Sequence, residues 1–125
     1  MERITCTPRP NWQQRVEGAG LAWHSNQRPY WNESAFYRFT AQEVADLEAA
    51  TNELEGMTLR AAEYVISNKL YGRLKIPPMA VPLIETSWLA EPPSLYGRFD
   101  LAYDGAGPPK LLEYNADTPT SLLET

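Results

Sequence analysis

The sequence has 125 residues, of which 43% are hydrophobic and 22% charged, proportions that suit one globular domain with a modest core. Its net charge of −5 at pH 7 argues against nucleic acid as a partner, because phosphate backbones require basic surfaces. No apolar run reaches the roughly 18 residues that a membrane-spanning helix needs, so no membrane partner is expected.

Residues 1–39 are predicted to be mostly irregular, since prolines interrupt them, with one short helix beginning near Asn11. The N-terminus lacks the apolar segment of a secretory signal. The single cysteine, Cys6, cannot form an internal disulfide, which fits a location in the reducing cytoplasm. Aromatic residues are dense over 29–39, where we interpret them as a packing cluster, with a ligand-stacking surface as the alternative.

A long helix is predicted over residues 41–67. Thr40 and Glu43 have the spacing of a capping box, in which each side chain bonds to the backbone N–H of the other residue. Apolar and small residues then recur at helical spacing, at Val44, Leu47, Thr51, Leu54, Thr58, Ala61 and Val65. Such a stripe is typical of core packing rather than of a partner-binding face.

The second half of the chain is predicted to hold two short helical pieces, around 69–74 and 80–89, followed by a β-hairpin over 95–116. The hairpin prediction depends on an alternating strand, a turn with an Asp-Gly pair and two prolines, and a returning strand. Pro119, with Thr118 as its N-cap, predicts one more helix start. The predicted fold class is therefore α+β, with mixed helices and a C-terminal β-hairpin.

One face of this hairpin is predicted to be apolar, because successive strand residues point to opposite faces. Its expected members are Phe99, Leu101, Tyr103, Leu112 and Tyr114.

The other face gathers polar side chains. Arg98 and Asp100 share it on the first strand, and Glu113 and Asn115 join them if the strands pair in the matching register. Two carboxylates and an amide oxygen suit Mg²⁺, and an arginine fork suits phosphate. The pattern is compatible with a magnesium–nucleotide site, but polar residues on an exposed sheet face are common, and patterning alone favours a merely solvated face.

Other chemistries have no support in the sequence. No Walker loop, glycine-rich phosphate cradle or zinc-ligand spacing occurs. Cys6 and His24 lack a motif that would make them a nucleophile and its base, and Ser121 lacks the nucleophile elbow of hydrolases.

Two strings carry a resemblance to a known family: Gly-Arg-Phe-Asp at 97–100 and Leu-Leu-Glu-Tyr-Asn-Ala-Asp-Thr-Pro-Thr-Ser at 111–121. They resemble the start of the glutathionylspermidine synthase domain, and the similarity runs along most of the chain. It is greatest to short synthetase-like members without the amidase domain. The resemblance implies that 1–125 is a single partial domain, the N-terminal part of an incomplete pre-ATP-grasp-like unit.

The family's site residues carry over where positions match. Arg98 would contact the nucleotide phosphates or the acyl phosphate and act in catalysis, and Asp100 would also bind the nucleotide–metal complex. The implied Mg²⁺ ligands are Asp100, Glu113 and Asn115. The positions near the acyl substrate are Thr118, Thr120 and Ser121, where the family usually has serines.

The implied activity is that of an ATP- and Mg²⁺-dependent acid–amine ligase acting through an acyl phosphate. Its expected substrates are glutathione or another peptide carboxylate and a polyamine such as spermidine. A catalytically inactive metal- or nucleotide-binding module, or a structural domain with a solvated hairpin face, are the alternatives. Strands and lysines that clamp ATP in such enzymes are not visible in the sequence, so the 125 residues alone are expected to be inactive.

Overall fold

The computed structural model describes residues 1–27, 30–116 and 120–122, which contain helices and two small antiparallel sheets. The fold class is α+β, as predicted. In chain order the elements are β1 (Glu2–Thr5), α1 (Trp12–Gly18), β2 (Ala35–Arg38), α2 (Ala41–Ser67), two 3-10 helices (Leu70–Leu74 and Pro78–Ala80), α3 (Val81–Ala90), β3 (Arg98–Ala102) and β4 (Lys110–Asn115). The helix predicted to begin at Thr118 and Pro119 lies outside the described residues.

Residues 1–39 contain two strands that the prediction of a mostly irregular segment missed. Strands β1 and β2 pair in antiparallel register from Glu2 opposite Arg38 to Thr5 opposite Ala35. An ion pair between Arg38 Nη2 and Glu2 Oε2, 2.5 Å apart, reinforces one end of the sheet. Each strand has only four residues, too few to show a period-two pattern, and each depends on a partner at least thirty residues away. The short helix predicted near Asn11 is confirmed as α1.

A network around Glu33 closes the loop between these two strands. The Glu33 carboxylate accepts from Trp31 Nε1 at 2.6 Å and from Arg9 Nη2 at 3.2 Å, and it also pairs with Arg9 Nε. The hydrogen bond from Arg9 is the largest cause, and with the bond from Trp31 it lowers the pKa of Glu33 from 4.5 to about 2. Within the aromatic segment Trp31 is half-buried, whereas Phe36 and Tyr37 are 50% and 57% exposed, so the expected packing cluster is not formed among the described residues.

Helix α2 has the predicted bounds, and its capping box is present. Thr40 Oγ1 accepts from the Glu43 N–H at 3.2 Å, and the Thr40 N–H donates to Glu43 Oε2 at 2.8 Å. These two bonds satisfy backbone donors that the first helical turn leaves free. The long helix therefore begins where its sequence specifies.

The stripe along α2 was expected to be core, and the structure contradicts this. Helix α2 has no buried residue. Its stripe is half-buried at best, and Val44 is 43% exposed. The reason is the lack of a layer over it, since no other described element covers the full length of the helix. Burial in the described part of the chain is confined to Val16, Leu21, His24 and Tyr71.

The two short helical pieces are confirmed, and a polar contact joins them. Glu85 of α3 accepts from Lys69 Nζ at 2.5 Å and from Tyr71 Oη at 2.8 Å. Both bonds lower the pKa of Glu85, and the bond from Lys69 lowers it more than the bond from Tyr71 does. The segment that follows α2 is thereby fixed against α3. None of the described helices has the length and apolar character needed to cross a membrane.

The Thr40 cap is testable by substitution. Thr40→Ala leaves helix α2 without its side-chain acceptor and should lower the free energy of unfolding by about 1 kcal/mol, measured by urea denaturation. Thr40→Ser keeps a hydroxyl at the same position and should stay near the wild-type value. Equal stability of the alanine variant and the wild type would contradict a contribution from this cap.

The low pKa of Glu33 predicts a specific pH dependence. A carboxyl whose pKa is depressed on folding stabilises the fold above its unfolded pKa, and this contribution is lost as pH falls through the folded pKa. The difference in unfolding free energy between wild type and Glu33→Gln should therefore be full above about pH 5 and shrink as pH approaches 2. Denaturation at a series of pH values measures it. Arg9→Gln should weaken the same dependence, and a pH-independent difference would contradict the assignment.

Candidate functional site

The hairpin of β3 and β4 has the predicted register. Arg98 lies opposite Asn115, and Asp100 lies opposite Glu113. Directly opposed residues of an antiparallel pair project to the same face. The structure thus brings these four side chains together on one face of the hairpin, as the sequence predicted.

A β-bulge lies next to this group. The register shifts between Asp100 and Leu101, so Leu101 lies opposite Leu111, and Leu112 is the extra residue. Leu112 is 69% exposed. The prediction that Leu112 shares the apolar side with Leu101 is therefore wrong, because alternation along β4 is interrupted at the bulge and Leu111 takes that place.

The apolar face of the hairpin is anchored to helix α2. Phe99 and Tyr114 stack with ring centroids 4.0 Å apart and an interplanar angle of 17°. Tyr114 Oη donates to Glu55 Oε2 of α2 at 3.0 Å. Gly97 leaves room for this ring, since a Cβ there would lie 3.1 Å from Tyr114 Cε2 and Oη. The polar face is consequently held on the side away from this contact.

Arg98 is the most connected side chain of the polar face. Its Nε donates to Asp100 Oδ1 at 2.7 Å and its Nη2 to Asp100 Oδ2 at 3.3 Å, a bidentate pair that raises the pKa of Arg98. The two side chains are 33% and 37% exposed, so solvent screens the pair and it adds little to stability. Its significance is positional, because it fixes a permanent positive charge beside a carboxylate.

Residues of the predicted substrate region lie beside this arginine. Arg98 Nη1 donates to the Thr120 carbonyl at 3.1 Å and lies 3.4 Å from Thr120 Oγ1. Ser121 is half-buried and has a φ of +80°, an uncommon value for a residue other than glycine. Thr118 lies outside the described residues.

Sequence reasoning missed Tyr96. Its Oη donates to the same Thr120 carbonyl at 3.3 Å. The signal was available, because Tyr96 precedes Arg98 by two residues and alternation along an extended strand places both on one side.

The donor set fits a hard divalent cation. Asp100 and Glu113 supply carboxylate oxygens and Asn115 an amide oxygen, the ligand types that Mg²⁺ takes together with water and phosphate. Asn115 Nδ2 is buried without a hydrogen-bond partner among the described residues, which costs free energy unless a partner is supplied. In the same part of the chain no group of three or more His, Cys, Asp and Glu side chains could hold a metal ion.

The two residues rejected as a Cys–His pair make other contacts. The thiol of Cys6 is exposed and lies 3.5 Å from the Glu33 carbonyl. His24 is buried, with Nε2 2.9 Å from Glu17 Oε1 and Nδ1 2.7 Å from Ser25 Oγ. These contacts give His24 a structural role in the N-terminal loop.

Comparison with known proteins identifies the family. Residues 3–125 match the family described as "Glutathionylspermidine synthase preATP-grasp". The chain belongs to this family.

Two curated relatives agree with the family match. A Haemophilus influenzae protein named "Putative acid--amine ligase" is 42% identical over 129 residues, which cover 99% of this chain and 33% of the relative. A Crithidia fasciculata protein named "Glutathionylspermidine synthase" is 34% identical over 95 residues, which cover 72% of this chain and 13% of the relative. These names support a family of ligases. The chain spans a third or less of the length of either relative.

The contact between Gly97 and Tyr114 can be tested with a matched pair of glycine substitutions. Gly97→Ala places a methyl group against the Tyr114 ring and should lower the free energy of unfolding by about 1 kcal/mol, the lower end of the cost of overpacking. Gly107→Ala in the hairpin turn meets nothing within 4 Å and should be close to neutral. Urea denaturation measures both variants. Equal effects at the two positions would contradict a specific role for the close approach at Gly97.

Proposed function

We propose that the protein containing this chain is a Mg-ATP-dependent ligase that joins a carboxylic acid to an amine through an acyl phosphate. The observation that carries this proposal is the convergence of Arg98, Asp100, Glu113 and Asn115 on one hairpin face of a chain that belongs to the glutathionylspermidine synthase family. In this proposal 1–125 is the N-terminal part of a larger catalytic unit, and the single Cys6 is consistent with a cytoplasmic location.

The names of the relatives suggest the substrates. The proposed acid is glutathione or another peptide carboxylate, and the proposed amine is a polyamine such as spermidine. The substrate carboxylate attacks the γ-phosphorus of ATP, and ADP leaves. The amine then attacks the acyl carbon, phosphate leaves, and the nitrogen loses a proton to give the amide. Neither step needs a covalent nucleophile from the protein.

Each residue of the polar face has a distinct part in this scheme. Asp100, Glu113 and Asn115 would hold Mg²⁺, which when bound neutralises charge on the transferring phosphoryl group. Arg98 would donate N–H groups to phosphate oxygens, where a fixed positive charge stabilises the transition state. Asp100 also orients Arg98, since the two form a bidentate pair.

The substrate positions are proposed from the family motif, and the contact of Thr120 with Arg98 supports them. The hydroxyl of Thr120 lies 3.4 Å from Arg98 Nη1. An acid held by Thr120 and Ser121 would therefore lie close to the phosphoryl group that Arg98 contacts. Thr118 is assigned to the same substrate by its position in the motif.

ADP release by the full-length protein tests the proposal. With Mg²⁺, release should require both a peptide acid such as glutathione and an amine such as spermidine. Glu113→Gln removes one ligand charge and should lower turnover by about 100-fold or more, because electrostatic stabilisation of this kind is worth that much. Glu48→Gln, an exposed carboxylate of α2, is the matched control and should keep wild-type turnover. The 125-residue chain alone should release no ADP.

The outcomes separate the alternatives. Mg-ATP binding without turnover for any pair of substrates would favour a catalytically inactive nucleotide-binding module. Folded protein that binds no Mg-ATP would overturn the site assignment and leave a solvated hairpin face.

A further inference from the structure

The carbonyl oxygen of Thr120 is held by two donors. Tyr96 Oη donates to it at 3.3 Å and Arg98 Nη1 at 3.1 Å. A carbonyl oxygen has two lone pairs, so the two donors together fill its hydrogen-bonding capacity. One backbone atom therefore fastens the segment at Thr120 to the strand that bears the polar face.

The two donors differ in what else they must do. The Arg98 guanidinium is shared between the Asp100 carboxylate and Thr120, and the proposed function assigns it to phosphate oxygens as well. A phosphate group carries more charge than a carbonyl and competes strongly for these N–H donors. The hydroxyl of Tyr96 is assigned no contact with phosphate. It can therefore stay hydrogen-bonded to the Thr120 carbonyl when Arg98 contacts the nucleotide.

Ser121 shows that this segment needs to be held. Its φ of +80° is an uncommon backbone conformation for serine, which persists only where surrounding contacts fix it. The contacts from Tyr96 and Arg98 are made to the residue immediately before it.

We propose that Tyr96 is a positioning residue that keeps Thr120 and Ser121 against the nucleotide face while Arg98 engages phosphate. This inference rests on the proposed ligase function and adds a residue to it. Tyr96 acts through the Thr120 backbone and so sets the place of the acid substrate, without touching the reacting atoms itself. Its loss should weaken acid binding more than it weakens nucleotide binding.

Tyr96→Phe in the full-length protein tests this, because it deletes one hydroxyl and keeps the ring. Amide hydrogen exchange in the peptide that spans 120–122 should become about fivefold faster, the size expected for one lost hydrogen bond. A non-hydrolysable Mg-ATP analogue should enlarge the difference, since Arg98 is then withdrawn from Thr120. The KM for the acid should rise about fivefold, with the KM for ATP within about twofold of wild type.

Tyr103→Phe is the matched control. Tyr103 lines a recess with Asp46 of α2 and the hairpin turn, at the end of β3 away from Arg98. It should change neither exchange at 120–122 nor the KM for the acid.

Two results would overturn the inference without touching the ligase proposal. One is unchanged exchange at 120–122 in Tyr96→Phe, with and without the nucleotide analogue. The other is faster exchange with an unaltered KM for the acid in an active enzyme. A wild-type protein that is inactive with every substrate pair would instead overturn the proposed function, and the exchange measurement would still decide whether Tyr96 fastens the segment.

Discussion

The antiparallel pairing of β3 with β4 is the constraint on which the candidate site depends. The four polar residues are separated by up to seventeen positions in sequence, and only the register places Arg98 opposite Asn115 and Asp100 opposite Glu113. A shift of one residue in this register would turn Glu113 and Asn115 toward the apolar face. The register itself is secured from the other side of the sheet, where the stacked rings of Phe99 and Tyr114 fit together in one alignment.

The hairpin is positioned by helix α2, to which Tyr114 is bonded through Glu55. This contact makes α2 one support of the hairpin, in a structure where few of the described residues are buried. The helix begins at a satisfied capping box, so its N-terminal end is fixed by local hydrogen bonds even where its sides are half-exposed. At this position, hydrogen bonds between neighbouring residues give the helix an order that burial in a core would otherwise provide.

The sequence allowed prediction of those parts of the fold whose signals are local. The capping box at Thr40 specified the start of α2, and the Asp-Gly turn with alternating flanks specified the hairpin and its polar face. The pairing of β1 with β2 depends on contacts between distant segments of four residues, which leave no local period. The bulge at Leu112 could not be predicted from the sequence either, because an extra residue in a strand changes the pairing register without changing the composition. Tyr96 could have been found by alternation, but its partner is a backbone atom, which carries no sequence signal.

That bulge has a consequence for how the hairpin can vary among related proteins. The bulge divides the strand pairing into two parts. Arg98 to Asp100 pair with β4 on one side of it, and Leu101 and Ala102 pair with β4 on the side of the turn. Since the extra residue already absorbs a mismatch between the strands, a gain or loss at the tip can be taken up there. The turn could thus lengthen, shorten or change its composition over generations while the polar face keeps its alignment, so that one end of the hairpin is free to diverge and the other is not.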